Sequence, residues 1–376
     1  MKYFIKTFGC QMNFSDSERM KTFFETNNFT PADKIDQADL VIFNTCGVRL
    51  ISEHKVYGHV HNVFKKQGEF QRKRKYLGID SQRKQIIVVT GCLAHREEFR
   101  KRLKNKVDLF IAIKDFPKIS ELISKIDKTK STNFYHSLKN SRKNSYLRIE
   151  PKYEKTDFAL VPIMTGCNNF CTYCIVPYAR GPEWSRPFKE IEAEIQKLAE
   201  KKYKTVLLLG QNVNSYQNGK TTFPKLLKTL AQKFPQIKFK FLTSHPKDYS
   251  DELINVIAQN ENIPNEIHLP IQAGSDKILK AMNRPYTQKY YLNLIKKTRE
   301  KIPTAKFSTD VIVGFPGETE KDFQETVKVF KEIGYSEAFI NKYSPRPGTA
   351  SFKLKDSISL NEKKRREQIL KNIFEN

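Results

Sequence analysis

Three short apolar runs, YFIKTF, DLVIFNT and QIIVVT, each lead into a cysteine: Cys10, Cys46 and Cys92. Runs this short, separated by amphipathic stretches, predict an open α/β sheet of parallel strands. One such stretch is SDSERMKTFFET, where Ser15 or Asp16 can cap a helix whose Met20, Phe23 and Phe24 share one face. A fourth run, DLFIAI, extends the same pattern. In parallel α/β sheets the carboxyl ends of the strands lie along one edge, and ligands bind in the crevice there. Cysteines 36 and 46 residues apart in the chain are therefore expected to converge. A single free cysteine packs as a small hydrophobe. Three at equivalent strand ends, two of them preceded by glycine, predict a three-thiol site with close backbone approach at the glycines.

Residues 137–155, SLKNSRKNSYLRIEPKYEK, are polar, basic and without periodicity, and read as a linker. Beyond it the alternation restarts with FALVPIM, TVLLLG, FKFLT, EIHLPI, FSTDVIV and EAFINKY, separated by helical patterns. Six βα units fall short of the usual eight of a closed barrel, which predicts a partial, open one. The expected organisation is an N-terminal domain over 1–136, the linker, a barrel over 156–356 and a C-terminal helix over 357–376.

The first strand of that barrel runs into TGCNNFCTYCIVPYARG, with Cys167, Cys171 and Cys174 as C-x-x-x-C-x-x-C. This is the carboxyl face, where barrels keep their active sites. An iron-sulfur cubane held by three thiolates leaves one iron free for a substrate or cofactor. Zinc is the alternative, and needs a fourth ligand, for which His245 and His268 are candidates.

Lys and Arg number 67 against 41 Asp and Glu, a net charge of +26. Such a surplus suits a polyanion, most often nucleic acid, and equally a lysine-rich solvated surface. The densest run, from Phe64 to Gln85, reads as a loop between regular elements, suited to phosphate contact or to solvation as an insertion. Six cysteines are too sparse for a disulfide scaffold, and MKYFIKTFGCQMNF lacks the apolar core of a signal peptide. No apolar run approaches the ~18 residues of a membrane span. The expectation is a soluble cytoplasmic protein with no membrane partner.

The cysteine pattern at the end of the first strand of a (βα)6 partial barrel resembles the radical S-adenosylmethionine superfamily. LLLGQNVNSY, HLPIQAGSD and STDVIVGFPGETE resemble its strand-end motifs for the cofactor's amino group, ribose and adenine, and Tyr173 is similar to the aromatic residue at the adenine. By their chemistry Gln211, Asn212, Gln272 and Ser275 offer hydrogen bonds, while Gly314 and Gly317 make room. Together with KTFGCQMNFSDSERM, NTCGVR, TGCLA, SHPKD and KYSPRPGT, these motifs resemble the bacterial MiaB-type methylthiotransferases, from Lys6 to Thr349. GCQMN and DSE favour the branch that acts on N6-dimethylallyladenosine over its sister enzymes.

That resemblance implies an N-terminal methylthiotransferase domain whose Cys10, Cys46 and Cys92 hold an auxiliary [4Fe-4S] cluster. It implies a second [4Fe-4S] cluster, on Cys167, Cys171 and Cys174, that cleaves S-adenosylmethionine to a 5′-deoxyadenosyl radical. The implied reaction consumes two S-adenosylmethionine and methylthiolates carbon 2 of N6-dimethylallyladenosine next to the tRNA anticodon. A tRNA anticodon stem-loop, an electron donor such as flavodoxin or ferredoxin, and a sulfur donor are the implied partners. No acid or base stands out, so no catalytic residue is assigned beyond the cluster ligands. Arg180, Trp184 and Arg186 in PYARGPEWSRP are placed near the mouth, for phosphate or base contact, or as surface charge with one packing aromatic. Relatives of that type continue past the counterpart of YSPRPGT through a helix into a small RNA-binding β-barrel. Here SLNEKKRREQILKNIFEN follows, so RNA affinity is expected from the basic surface. Two other readings stay open: a methylthiotransferase for threonylcarbamoyladenosine in tRNA, and a non-catalytic iron-sulfur or zinc protein that binds RNA.

Overall fold

In a computed structural model, the described residues are 1–47, 50–76, 85–126, 134–136 and 145–375. They form two units, Met1–Glu154 with Ile175–Pro182, and Lys155–Cys174 with Glu183–Asn376.

Unit 1 holds β1 (Lys2–Thr7), α1 (Gln11–Thr26), β2 (Thr30–Pro31), β3 (Leu40–Thr45), α2 (Leu50–Tyr76), β4 (Ile86–Gly91), α3 (Glu97–Arg102), β5 (Leu109–Ile111), α4 (Ile119–Ser124) and β6 (Phe134–His136). The strands form one parallel sheet in the order β2-β1-β3-β4-β5-β6. Every residue of β3 and β4 is buried, as expected of central strands covered on both faces. Val41, Phe43, Ile87, Val89 and Phe110 of the sheet pack with Val56 and Val60 of α2 and Phe99 of α3.

The basic run is not the expected loop in its first part: α2 continues through it to Tyr76. Lys, Arg, Gln and Glu are good helix formers, and one Gly68 costs only about 1 kcal/mol against them. Residues 77–84 lie outside the described residues, as do 137–144 of the linker. The described part of that linker packs on unit 1: Tyr146 and Leu147 are buried, and the Lys152 N–H donates to the Glu18 carbonyl at 3.1 Å.

Unit 2 begins with β7 (Phe158–Pro162) and β8 (Met164–Thr165). The chain then supplies α5 (Val176–Arg180) to unit 1 before returning at β9 (Trp184–Ser185). There follow α6 (Phe188–Glu200), β10 (Thr205–Leu209), β11 (Gln217–Asn218), β12 (Thr221–Thr222), α7 (Phe223–Lys233), β13 (Lys238–Phe241), α8 (Asp251–Gln259) and β14 (Glu266–His268). The remainder is α9 (Asp276–Ala281), α10 (Gln288–Lys301), β15 (Lys306–Val313), α11 (Glu320–Ile333), β16 (Glu337–Lys342) and α12 (Leu360–Glu375).

The principal strands are parallel and lie in chain order, as β7-β10-β13 and β14-β15-β16, the arrangement of a partial (βα)6 barrel. Its helices bury one stripe each, for instance Ile191, Ile195 and Leu198 of α6. Helix α11 starts on a capping box in which Thr319 and Asp322 satisfy each other's backbone N–H. Helix α12 packs with Leu370 fully buried, and its Arg366 holds the buried Glu318 at 2.6 Å. Among the described residues no helix is long and apolar enough to cross a membrane.

Candidate functional site

Strand register builds the first site. Thr7 of β1 pairs with Asn44, and Thr45 of β3 pairs with Gly91 of β4, so Cys10, Cys46 and Cys92 follow three neighbouring strands at the same sheet edge. Gly9 (φ +128°) lies where a Cβ would come within 2.4 Å of Cys46 Cβ, and one on Gly91 (φ +83°) within 2.3 Å of the Thr45 carbonyl. No other residue lets the turns close this tightly. The Cys92 N–H then donates to the Thr45 carbonyl at 2.8 Å. Cys10 caps α1, its carbonyl accepting from Asn13 N–H at 2.9 Å.

A buried amide pair ties that helix to β3. Asn13 Nδ2 donates to Asn44 Oδ1 (3.1 Å) and to the Thr45 carbonyl (3.2 Å), and Asn44 Nδ2 donates to the Asn13 carbonyl (2.8 Å). A hydrogen bond from Cys46, helped by the positive charge of Arg180, brings the Cys10 thiol down to about 6. A thiol so shifted is mostly thiolate at neutral pH, the form that binds metal.

Neither role expected of Arg180 and Arg186 survives, because both are buried in ion pairs. Arg180 Nη2 donates to Asp16 Oδ2 of α1 at 2.7 Å, within unit 1. Arg186 Nη1 meets Glu194 at 2.7 Å and the Pro162 carbonyl at 2.8 Å, within unit 2. Trp184 is half-buried in β9, paired with Thr165.

In unit 2, Cys167 and Cys171 are buried and Cys174 is half-buried in the loop after β8. The loop is held from several sides. Gly166 N–H donates to Gln211 Oε1 at 2.6 Å, Thr172 N–H to the Met282 carbonyl at 3.0 Å, and Asn283 Nδ2 to the Asn169 and Phe170 carbonyls at 3.1 Å each. Arg284 is buried and bonds Cys171 Sγ at 3.6 Å and the Pro270 carbonyl at 3.1 Å. Burial pushes the Cys167 thiol up. Sequence reasoning passed over Arg284, and its only signal was a lone arginine in KAMNRPYT.

The residues expected at the cofactor all belong to unit 2. Gln211 shapes the cysteine loop through Gly166, and Asn212 donates to Asp248 at 2.6 Å. Gln272, in a left-handed turn (φ +72°), bridges to β15 through its own N–H and carbonyl, both at 2.9 Å. Ser275 donates to Asp322 at 2.7 Å, with Lys277 on the other carboxylate oxygen at 2.9 Å. Tyr173 is half-buried and its phenol is pushed up by burial.

At the ends of β10 and β13, Asn212 Oδ1, Ser244 Oγ and His245 Nε2 are buried and unpartnered. Orphaned donors and acceptors at a barrel's carboxyl end fit a polar ligand with several hydrogen-bonding groups. Burial, with the charges of Arg284 and Lys247, brings His245 down to about 2, so it is neutral.

His268, the other candidate zinc ligand, has both ring nitrogens engaged, one by Ser308 and one by Asp310, at 3.0 Å each. Among the described residues no three His, Cys, Asp or Glu side chains converge as a single ion would require. In a cubane each thiolate takes its own iron, which needs no such common point.

The radical SAM superfamily pattern matches residues 161–330, and that of "uncharacterized protein family UPF0004" matches residues 2–112. The chain is 42% identical over 373 residues to the tRNA-2-methylthio-N(6)-dimethylallyladenosine synthase of Parabacteroides distasonis, covering 98% of this chain and 79% of that one. It belongs to that synthase family. The synthase of Carboxydothermus hydrogenoformans is 41% identical over 375 residues, covering 98% and 82%. Among solved structures, the radical S-adenosylmethionine methyltransferase TsrM from Kitasatospora setae, with cobalamin and a [4Fe-4S] cluster bound, is similar at a TM-score of 0.62 and 13% identity, over 93% of this chain and 76% of that one. The cobalamin-dependent radical enzyme OxsB follows at 0.57 and 9% identity, over 100% and 56%. At such identities these two bear on the fold alone. Within the synthase family, the UPF0004 match spans all of Cys10, Cys46 and Cys92, and the radical SAM match spans Cys167, Cys171 and Cys174.

Proposed function

We propose that this chain transfers a methylthio group to carbon 2 of N6-dimethylallyladenosine in tRNA. The observation that carries the reading is identity of 42% across 98% of the chain to a synthase of that name. The strand-end thiols and the cysteine loop support it from the residues upward. Cys10, Cys46 and Cys92 would hold one [4Fe-4S] cluster, and Cys167, Cys171 and Cys174 another, each with one iron free of protein ligands. Bound S-adenosylmethionine supplies a methyl group and, on reduction, a radical that acts on an unactivated aromatic C–H, chemistry beyond ordinary acid–base residues.

What the chain's own residues supply is position. Gly9, Gly91 and the Asn13–Asn44 pair hold the first triad in place, and Gln211, Asn283 and Arg284 hold the second loop. Asn212, Ser244 and His245 would offer their unpartnered polar atoms to the cofactor, with Tyr173 of the cysteine loop, Gln272 beyond β14 and Ser275 at the start of α9 as further candidate contacts. A net charge of +26 suits a tRNA partner. An electron donor of the flavodoxin or ferredoxin class and a sulfur donor complete the partners that the chemistry demands.

Anaerobic reconstitution tests the reading, with about eight irons per chain expected from two cubanes. Cys171→Ala is expected to abolish release of 5′-deoxyadenosine, whereas Cys46→Ala spares that release and stops sulfur insertion. Equal loss of cofactor cleavage in both variants would contradict the division of roles. Mass spectrometry of tRNA nucleosides from cells with and without the gene identifies the modified base.

A further inference from the structure

Arg284 is a buried cation without a carboxylate. Arg96, Arg180, Arg186 and Arg366 are each buried against an acidic side chain, at 2.5–2.7 Å. Arg284 is 7% exposed, and among the described residues no carboxylate pairs with it. Its guanidinium is spread over three other acceptors: Nε donates to the Tyr286 phenol at 2.8 Å, Nη2 to the Pro270 carbonyl at 3.1 Å, and Nη1 to Cys171 Sγ at 3.6 Å. The phenol is itself fixed, donating to the Ile271 carbonyl at 2.8 Å. Leaving a guanidinium buried among neutral acceptors alone costs several kcal/mol. Of the three partners, only the Cys171 sulfur becomes an anion when it binds metal.

The backbone aims this side chain. Helix α9 ends in a left-handed Asn283 (φ +57°), and Arg284 N–H closes the turn on the Leu279 carbonyl at 2.9 Å. The same turn grips the cysteine loop on both sides of Cys171. The Met282 carbonyl accepts from Thr172 N–H, and Asn283 Nδ2 donates to the Asn169 and Phe170 carbonyls. Sulfur and guanidinium are therefore held in register by one short segment.

We propose that Arg284 is a positioning residue that raises the reduction potential of the cluster held by Cys167, Cys171 and Cys174. This rests on the reading that the triad holds a [4Fe-4S] cluster. Three thiolates already leave such a cubane net anionic, and the electron that starts cofactor cleavage adds one more negative charge. That electron leaves a one-electron donor, which is oxidised, and reduces the cluster, while Arg284 stays protonated and no proton moves. Hydrogen bonds to the sulfurs are among the factors that set such potentials. A fixed N–H group and positive charge at a ligand sulfur stabilise the reduced state more than the oxidised one. Arg284 thereby sets how strong a reductant the electron donor must be.

The test uses the full chain carrying Cys10→Ala, Cys46→Ala and Cys92→Ala, reconstituted anaerobically, so that only the second triad reports. Each protein is titrated with dithionite against redox mediators, and the reduced cluster is counted by electron paramagnetic resonance. Arg284→Met keeps the length of the side chain without its charge. It is expected to make reduction about tenfold less favourable, about 59 mV more negative for one electron, the lower end of a charge-assisted hydrogen bond. Arg284→Lys is expected to recover part of that shift. The sign separates tuning from packing, because water admitted by a merely loosened site favours the more charged, reduced cluster and moves the potential upward. Equal potentials in parent and Arg284→Met, an upward shift, or an Arg284→Lys potential no closer to the parent's than that of Arg284→Met overturns the proposal and leaves the cluster reading standing. If either variant fails to retain iron, the parent decides alone. With nitrogen-15 in its arginine guanidinium groups, the reduced cluster is expected to show a nitrogen-15 hyperfine coupling, and its absence overturns the proposal. A parent that takes up no iron on this triad, or yields no reducible cluster, overturns the cluster reading itself.

Discussion

Glu18 is buried on α1 beside Asp16 and Ser17, with one carboxylate oxygen accepting from Glu154 N–H at 3.2 Å and the other unpartnered. Burial raises its carboxyl from an ordinary 4.5 to about 7, partly offset by the Glu154 N–H and Arg19. The folded state therefore binds a proton that the unfolded state has released between these two values. Stability from this group is fully present below about pH 4.5 and is lost as pH rises through about 7. At about 1.4 kcal/mol per pH unit, the loss amounts to about 3 kcal/mol. Glu18→Gln keeps the acceptor for Glu154, offers a donor in place of the orphaned oxygen, and does not titrate. The stability of the variant minus that of the parent should accordingly rise by about 3 kcal/mol between pH 4.5 and pH 8. Urea unfolding of both iron-free proteins, followed by circular dichroism across that range, measures it, and every titration common to the two cancels in the difference. A difference that stays constant with pH would refute the assignment of burial as the dominant cause.

Three other perturbations follow from the same structure. Gly91→Ala places a methyl 2.3 Å from the Thr45 carbonyl at φ +83°, and is expected to cost more than the roughly 1–2 kcal/mol of a left-handed residue alone. Because Cys92 follows directly, iron retained after gel filtration should fall with stability. Arg366→Ala leaves Glu318 buried without its guanidinium, an expected loss of about 3–5 kcal/mol read by thermal unfolding, with Arg366→Lys intermediate. Since Glu318 also accepts the Gly314 N–H at 2.6 Å, the affinity for S-adenosylmethionine should drop in parallel. His245, depressed to about 2 by burial, contributes stability above its unfolded value of about 6.5 that is lost as pH falls toward 2. Its ring proton resonance should not move between about pH 5 and pH 8.

The alternation of apolar runs with helical patterns was enough to place β1, β3, β4 and β5 of unit 1 and the six parallel strands of unit 2, though not the short edge strands β2 and β6, because side-chain periodicity is written locally. Local spacing likewise brought Cys167, Cys171 and Cys174 into one loop. For Cys10, Cys46 and Cys92 one general rule was added, that parallel strands share a carboxyl edge, and the register of β1, β3 and β4 obeys it. The loop expected over the basic run failed in its first part because charge was weighed above helix propensity, and residues to Tyr76 are helical. What only tertiary structure decided is which charges are buried and against what. Arg180 and Asp16 are separated by 164 residues, Arg284 and Cys171 by 113, and Arg366 and Glu318 by 48. In sequence each arginine looks like any solvated cation of a chain with 67 Lys and Arg. Removal from water, and the partner met there, depend on packing among distant segments, to which local pattern carries no signal. Sequence alone determined where thiols could gather, and the fold determined which charges would stand beside them.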